Sequence, residues 1–185
     1  ASWKCGESCG DGACSQGAIF SFHPVKNITC GEGGAIVVNN SEWSDALRSL
    51  RHHGIQRVDN PQQPWMHAFH AAATNERLSD IHAALGNSQC QRLAHFKQRR
   101  ADIHDTYTCA FSELDFISVL APDGQEPFWH LSLAWIDWAR LGHDRNWLFQ
   151  HCRENGVQLQ VHYIPLHQQP ILAEAKRGTA LTGAE

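Results

Sequence analysis

Two short apolar runs, Ala18-Ile19-Phe20-Ser21-Phe22 and Ala35-Ile36-Val37-Val38, flank a polar connection that opens at Pro24 and closes in Gly31-Glu32-Gly33-Gly34. Runs this short, bounded by proline and glycine, suit buried strands better than helices. Any fold for this chain must therefore accommodate two strands with a glycine-rich loop, and its single lysine, Lys26, between them.

The pattern beyond that point alternates. Residues 1–17, rich in Gly, Ser and Cys, read as turn and loop. Asn39-Asn40-Ser41 supplies caps for a helix over Glu42–Arg51, closed by His53-Gly54. Residues 55–74 carry Pro61 and Pro64 without periodicity and predict a long loop. A helix starts at Ser79 with Leu78, Ile81 and Leu85 on one face. The row continues after Gly86 through Leu93, Phe96, Ile103, Tyr107, Ala110 and Leu114, interrupted by Arg100. This predicts one long helix, kinked near Gly86, that connects two domains. Pro122-Asp123-Gly124 reads as a turn, Trp129–Asp137 as an alternating strand, Arg145–Glu154 as a helix ended by Asn155-Gly156, and Val157–Tyr163 as a strand. Strands alternating with helices favour α/β layering.

Composition narrows the partners. The net charge is −4 and the basic residues are scattered, which argues against a polyanion partner. No apolar run reaches the roughly 20 residues of a membrane helix. No basic stretch precedes an apolar block at the N-terminus, so no signal peptide is expected. With an odd count of seven cysteines and no secretion signal, a reduced, cytoplasmic protein is expected. Cys5, Cys9 and Cys14 lack paired CxxC spacing, and the thirteen histidines include no HExxH pattern, so no metal site is expected.

Lys26 is the candidate for chemistry. Burial beside strands strips an amine of water and favours its neutral, nucleophilic form; such lysines form imines with carbonyls, and pyridoxal 5'-phosphate (PLP) is the common carbonyl cofactor. The nearby glycines allow close backbone approach to a ligand. They do not make a phosphate loop of the NTPase kind, because no Gly-Lys-Ser/Thr follows. A solvated surface lysine is the bland alternative.

Four ordered motifs carry a resemblance. Ser21-Phe22-His23-Pro24-Val25-Lys26-Asn27-Ile28-Thr29, running into Gly31-Glu32-Gly33-Gly34-Ala35, resembles the Schiff-base signature of the DegT/DnrJ sugar aminotransferases. Arg51-His52-His53-Gly54-Ile55 is similar to the family's Arg-x-His-Gly stretch. Asn75-Glu76-Arg77-Leu78, continuing to Ala83-Ala84-Leu85-Gly86, is similar to its Asn-aromatic-Arg-Leu helix start. His162-Tyr163-Ile164-Pro165 is similar to the strand end near its sugar site.

The resemblance implies an α/β fold, PLP-dependent transferase fold type I (aspartate aminotransferase-like). Residues 1–88 would end the large PLP-binding domain, 89–115 would be a connecting helix, and 116–185 most of a small C-terminal domain. It implies PLP on Lys26, Ser21 as a phosphate ligand, and Asn75 reaching the phosphate from the neighbouring subunit of a homodimer. Gln160, His162 and Tyr163 would contact a nucleotide-linked sugar. Within the family the lysine motif is most similar to the pseudaminic-acid branch, which aminates C4 of a UDP-linked 4-keto-6-deoxy sugar with glutamate as donor.

Two departures accompany it. Glu76 stands where the family has an aromatic residue, and a carboxylate beside a phosphate is repulsive. The aspartate that pairs with the PLP ring nitrogen would lie before Ala1, so the chain reads as a fragment cut at both ends. By itself it is expected to be inactive and marginally folded, with the edges of its first two strands open. A non-catalytic binding or regulatory remnant is the rival reading, and a thiol or zinc module on Cys5, Cys9 and Cys14 a second.

Overall fold

The computed structural model describes residues 10, 15–57, 60, 62–122 and 127–172. The chain divides into two compact units, residues 1–135 and 136–185. In the first, β1 (Gly17–Ser21) pairs antiparallel with β2 (Gly34–Val38) in the register Gly17 to Val38 and Ser21 to Gly34. The α1 helix (Ser41–Leu50) follows, then β3 (Ile55–Arg57) and β4 (His67–Phe69), also antiparallel, then α2 (Asp80–Cys90) and α3 (Leu93–Phe111). The third two-stranded sheet joins β5 (Ile117–Val119) to β6 (Ala134–Ile136). Beyond β6 come α4 (Trp138–Leu141) and α5 (Arg145–Glu154).

Capping chemistry sets the helix starts. The side chains of Asn40, Ser79 and Asp144 accept the backbone N–H groups of Trp43, His82 and Trp147, satisfying first-turn donors. Ser79 is therefore the cap of α2. The α5 helix ends in a Schellman arrangement: Val157 N–H donates to Cys152 C=O and Gly156 N–H to Arg153 C=O, with Gly156 at φ 79°.

Four expectations are corrected. The segment 55–74 is not all loop, because β3 and β4 pair across it; strands of three residues are too short to show alternation. The long helix is two helices, broken at Gln91-Arg92 rather than kinked at Gly86. Gly86 lies within α2, and its missing Cβ makes room for Cys30, which a Cβ would meet at 3.2 Å. Of the expected strand Trp129–Asp137 only β6 forms, since the Trp129 and His130 carbonyls are taken by side chains instead of a ladder. Val157–Tyr163 is not a strand and has no ladder partner among the described residues. Asp123 and Gly124 of the turn expected at Pro122-Asp123-Gly124 and most of residues 1–17 lie outside the described residues, as do Cys5, Cys9 and Cys14.

The first two strands are less buried than their composition suggests: Ile19 is 82 % and Ile36 54 % exposed. Each has one partner among the described residues, so each leaves one edge unpaired. Among the described residues Cys30 is instead the fully buried apolar side chain, set against Gly33 and Gly86. No described helix is long and apolar enough to cross a membrane. The described cysteines Cys30, Cys90, Cys109 and Cys152 are free.

Candidate functional site

Lys26 sits in the connection between β1 and β2. Pro24, with its preset φ, starts a turn closed by Lys26 N–H donating to the His23 carbonyl at 2.9 Å. The base of the connection is closed by Phe22 N–H to Gly33 C=O (2.9 Å) and Cys30 N–H to Phe22 C=O (3.1 Å). The Thr29 hydroxyl adds a brace, donating to Phe22 C=O while accepting Gly31 N–H, both at 2.9 Å. Gly33, at φ 151°, has no room for a side chain: a Cβ would lie 2.7 Å from both Cys30 Sγ and Leu78 Cδ1. That close approach seats the connection on the start of α2.

Lys26 is half-buried, and among the described residues its ammonium has no hydrogen bond or ion pair. Ser21 ends β1 beside this turn. Its Oγ accepts His23 N–H at 3.4 Å, which leaves the hydroxyl proton to donate elsewhere. His23 turns outward, with Nε2 3.8 Å from Glu32 Oε1.

Asn75 lies on a second loop. It forms an isolated β-bridge with His52, flanked by His53 N–H to Thr74 C=O (3.0 Å) and Glu76 N–H to Arg51 C=O (3.0 Å). The second and third sequence motifs are thus one structural unit. Asn75 Oδ1 accepts Arg77 N–H at 3.3 Å, which leaves both Nδ2 protons to donate elsewhere. The Glu76 carboxylate accepts the Thr74 hydroxyl at 2.5 Å, which holds it within its own loop. Arg77 Nη1 donates to His52 Nδ1. No hydrogen bond joins Asn75 to Ser21 or Lys26 among the described residues.

In the second unit Gln160 is exposed and lines an open concavity with Phe149, Arg153, Glu154 and Leu159. The His162 and Tyr163 rings lie 4.0 Å apart at 33°, so the opposite directions expected of strand neighbours are not observed.

Asn27, Arg100, His104 and Trp129 take part in holding the lysine connection and were not singled out from the sequence. Asn27 Nδ2 donates to the carbonyls of Phe128 (2.9 Å) and Trp129 (3.2 Å). Arg100 Nη1 donates to those of Trp129 (3.2 Å) and His130 (3.3 Å). The buried His104 ring lies flat on Trp129, 3.5 Å between centroids. The one available signal was Arg100, a cation inside an apolar helical row.

Among the described residues this arrangement offers an amine without a counter-ion and hydroxyl and amide donors without acceptors. A ligand carrying a carbonyl and an anion fits that donor set.

Comparison with known proteins agrees. PseC of Helicobacter pylori, an aminotransferase involved in the biosynthesis of pseudoaminic acid, is 26 % identical, with a TM-score of 0.80 over 92 % of this chain and 45 % of that one. Spr1654 of Streptococcus pneumoniae, solved in its PMP-form, is 27 % identical, with a TM-score of 0.81 over 94 % and 45 %. DesV of S. venezuelae, solved with a ketimine intermediate, is 29 % identical, with a TM-score of 0.75 over 91 % and 43 %. The chain spans less than half the length of these structures. Their shared architecture is PLP-dependent transferase fold type I, and enzymes of this kind use PLP. With residues 5–185 matching its profile, the chain belongs to the DegT/DnrJ/EryC1/StrS aminotransferase family.

Proposed function

We propose that the protein is a nucleotide-sugar aminotransferase in which Lys26 carries PLP, and that it moves an amino group from glutamate to C4 of a UDP-linked 4-keto-6-deoxy sugar. The observation that supports this best is the half-buried Lys26 amine, without a hydrogen bond or ion pair among the described residues, in the turn that resembles the family's lysine motif. The likeness to PseC supports the pseudaminic branch of the family.

When bound, PLP supplies an aldehyde that condenses with amines and a ring that takes up electron density from the neighbouring carbon. The remaining roles fall to the chain. Lys26 Nζ holds the cofactor covalently and, once displaced, accepts and returns a proton. The free hydroxyl proton of Ser21 and the Nδ2 protons of Asn75 suit phosphate oxygens, Asn75 acting from the neighbouring subunit of a homodimer. Holding Glu76 on Thr74 keeps its carboxylate from competing for those donors. Gln160, His162 and Tyr163 contact the sugar nucleotide. In this reading residues 1–88 close the large domain, 89–115 connect, and 116–185 form most of the small domain.

Turnover of a UDP-linked 4-keto-6-deoxy-N-acetylhexosamine with glutamate, measured on the full protein, tests the proposal. Lys26→Ala is expected to lose at least about 10³-fold, the scale of a missing acid–base and covalent group. Turnover by Lys26→Ala within about tenfold of the unmodified protein would remove Lys26 from the chemistry. A preference for the dTDP-linked sugar would move the protein to another branch of the family.

A further inference from the structure

The lysine turn is anchored through the residue next to Lys26. Bonds at Phe22, Thr29, Cys30 and Gly33 fix only the base of the connection, and the Lys26 side chain, with four rotatable bonds, has no partner of its own among the described residues. The tip is tied down by Asn27, whose amide reaches two carbonyls 101 and 102 positions along the chain. Both accepting groups are backbone oxygens, which suits a side-chain NH2 and would repel a carboxylate.

That carbonyl edge is itself held from α3. The Trp129 oxygen receives Asn27 on one side and Arg100 on the other, filling both its lone pairs. Arg100 also takes the His130 oxygen, and the Trp129 ring is clamped on His104, which is 5 % exposed and stacked within 13° of parallel. A cation in the apolar row of α3 costs packing unless it has acceptors to satisfy; here it has two. The chain of contacts runs from a long helix, through three backbone carbonyls, to the residue beside the lysine.

We propose that Asn27 is a positioning residue for Lys26, acting against a carbonyl edge that Arg100 and His104 hold in place. The inference rests on the reading of Lys26 as the PLP-bearing residue. Its consequence is geometric: without Asn27 the turn still closes on His23, but the direction of the lysine is no longer tied to α3. Displacement of a reacting group by about 1 Å costs up to about 10²-fold.

The test is made on the full protein incubated with PLP. Two readouts are followed besides activity: the pH midpoint of the absorbance band of lysine-bound cofactor, and the rate at which borohydride fixes the cofactor to the Lys26 peptide. Asn27→Asp, which keeps the shape and removes the donors, is expected to slow fixation by about tenfold and move the midpoint by about one pH unit. Arg100→Met should move both in the same direction by less, with thermal midpoints close to the unmodified protein. An Asn27→Asp protein with unchanged fixation rate and pH midpoint overturns the inference, and so does one whose only change is a lower thermal midpoint. Should Asn27→Asp fail to fold, Arg100→Met decides: an unchanged pH midpoint overturns the inference. Failure of the reading beneath it is separate and visible in the unmodified protein, which would then show no band that Lys26→Ala abolishes.

Discussion

His52 accepts the Arg77 guanidinium at Nδ1, which places the proton of its neutral ring on Nε2. Its pKa is lowered from the ordinary 6.5: packing of the loop removes some water from the ring, and the positive charges of Arg77, His53 and Arg51 add to the effect. The side chain is exposed, so the influence on stability is small. Its sign is definite. The unfolded chain binds a proton at His52 more readily than the folded one, so this contribution is complete above pH 6.5 and fades as pH falls below it. The thermal midpoint of the protein should therefore exceed that of His52→Gln by a margin that shrinks as pH drops from about 7.5 to 5.5. A margin constant across that range would assign the titration to another histidine. His52 matters here because its backbone bridges to Asn75, so loosening this pair also loosens a proposed phosphate donor.

Among the elements, α5 shows most directly how local chemistry sets a boundary. Asp144 caps its start at 2.8 Å and the Schellman bonds at Gly156 close its end. Its exposed face carries a flat stack of His143, Trp147 and His151, with centroids 3.7 and 4.9 Å apart. Asp144→Ala should cost about 1 kcal/mol by removing the cap acceptor, measured by denaturant unfolding of the full protein. An equal loss from Asp144→Asn would show that charge, not hydrogen bonding, is what the first turn uses, since asparagine caps as well as aspartate. The α3 helix differs, for the Arg92 side chain at its start makes no capping bond. Its stability comes from what it packs against, and Arg100 and His104 show that this includes the carbonyl edge opposite the lysine turn.

At the scale of the whole molecule, Ile19 of β1 and Ile36 of β2 stay exposed among the described residues, while the chain spans less than half of the enzymes it resembles. The proposed homodimer with shared sites makes a sharp demand on the assembled protein. If Asn75 of one subunit serves Lys26 of the other, a mixture of Lys26→Ala and Asn75→Ala subunits contains hybrid dimers with one intact site. Activity should then recover to about one quarter of the unmodified level after random exchange, provided each variant alone is impaired. No recovery despite proven subunit exchange would place Asn75 in the same subunit's site, or outside it.

Much of this protein was written in short-range chemistry. The caps Asn40, Ser79 and Asp144, the glycine stop at Gly156, the two apolar runs and the lysine motif all act within a few residues of themselves, so the sequence alone determined α1, α5, the start of α2, β1, β2 and the family. Tertiary structure decided the rest. The three-residue strands β3 and β4 exist only because they pair with each other, and Trp129–Leu133 stays out of a strand because Asn27 and Arg100 claim the Trp129 and His130 carbonyls. Cys30, which carries no local signal, becomes the buried pin through the gaps left by Gly33 and Gly86. The physical reason is common to all three: these bonds and contacts join residues distant in sequence, and a periodicity or cap records only what a residue does to its near neighbours.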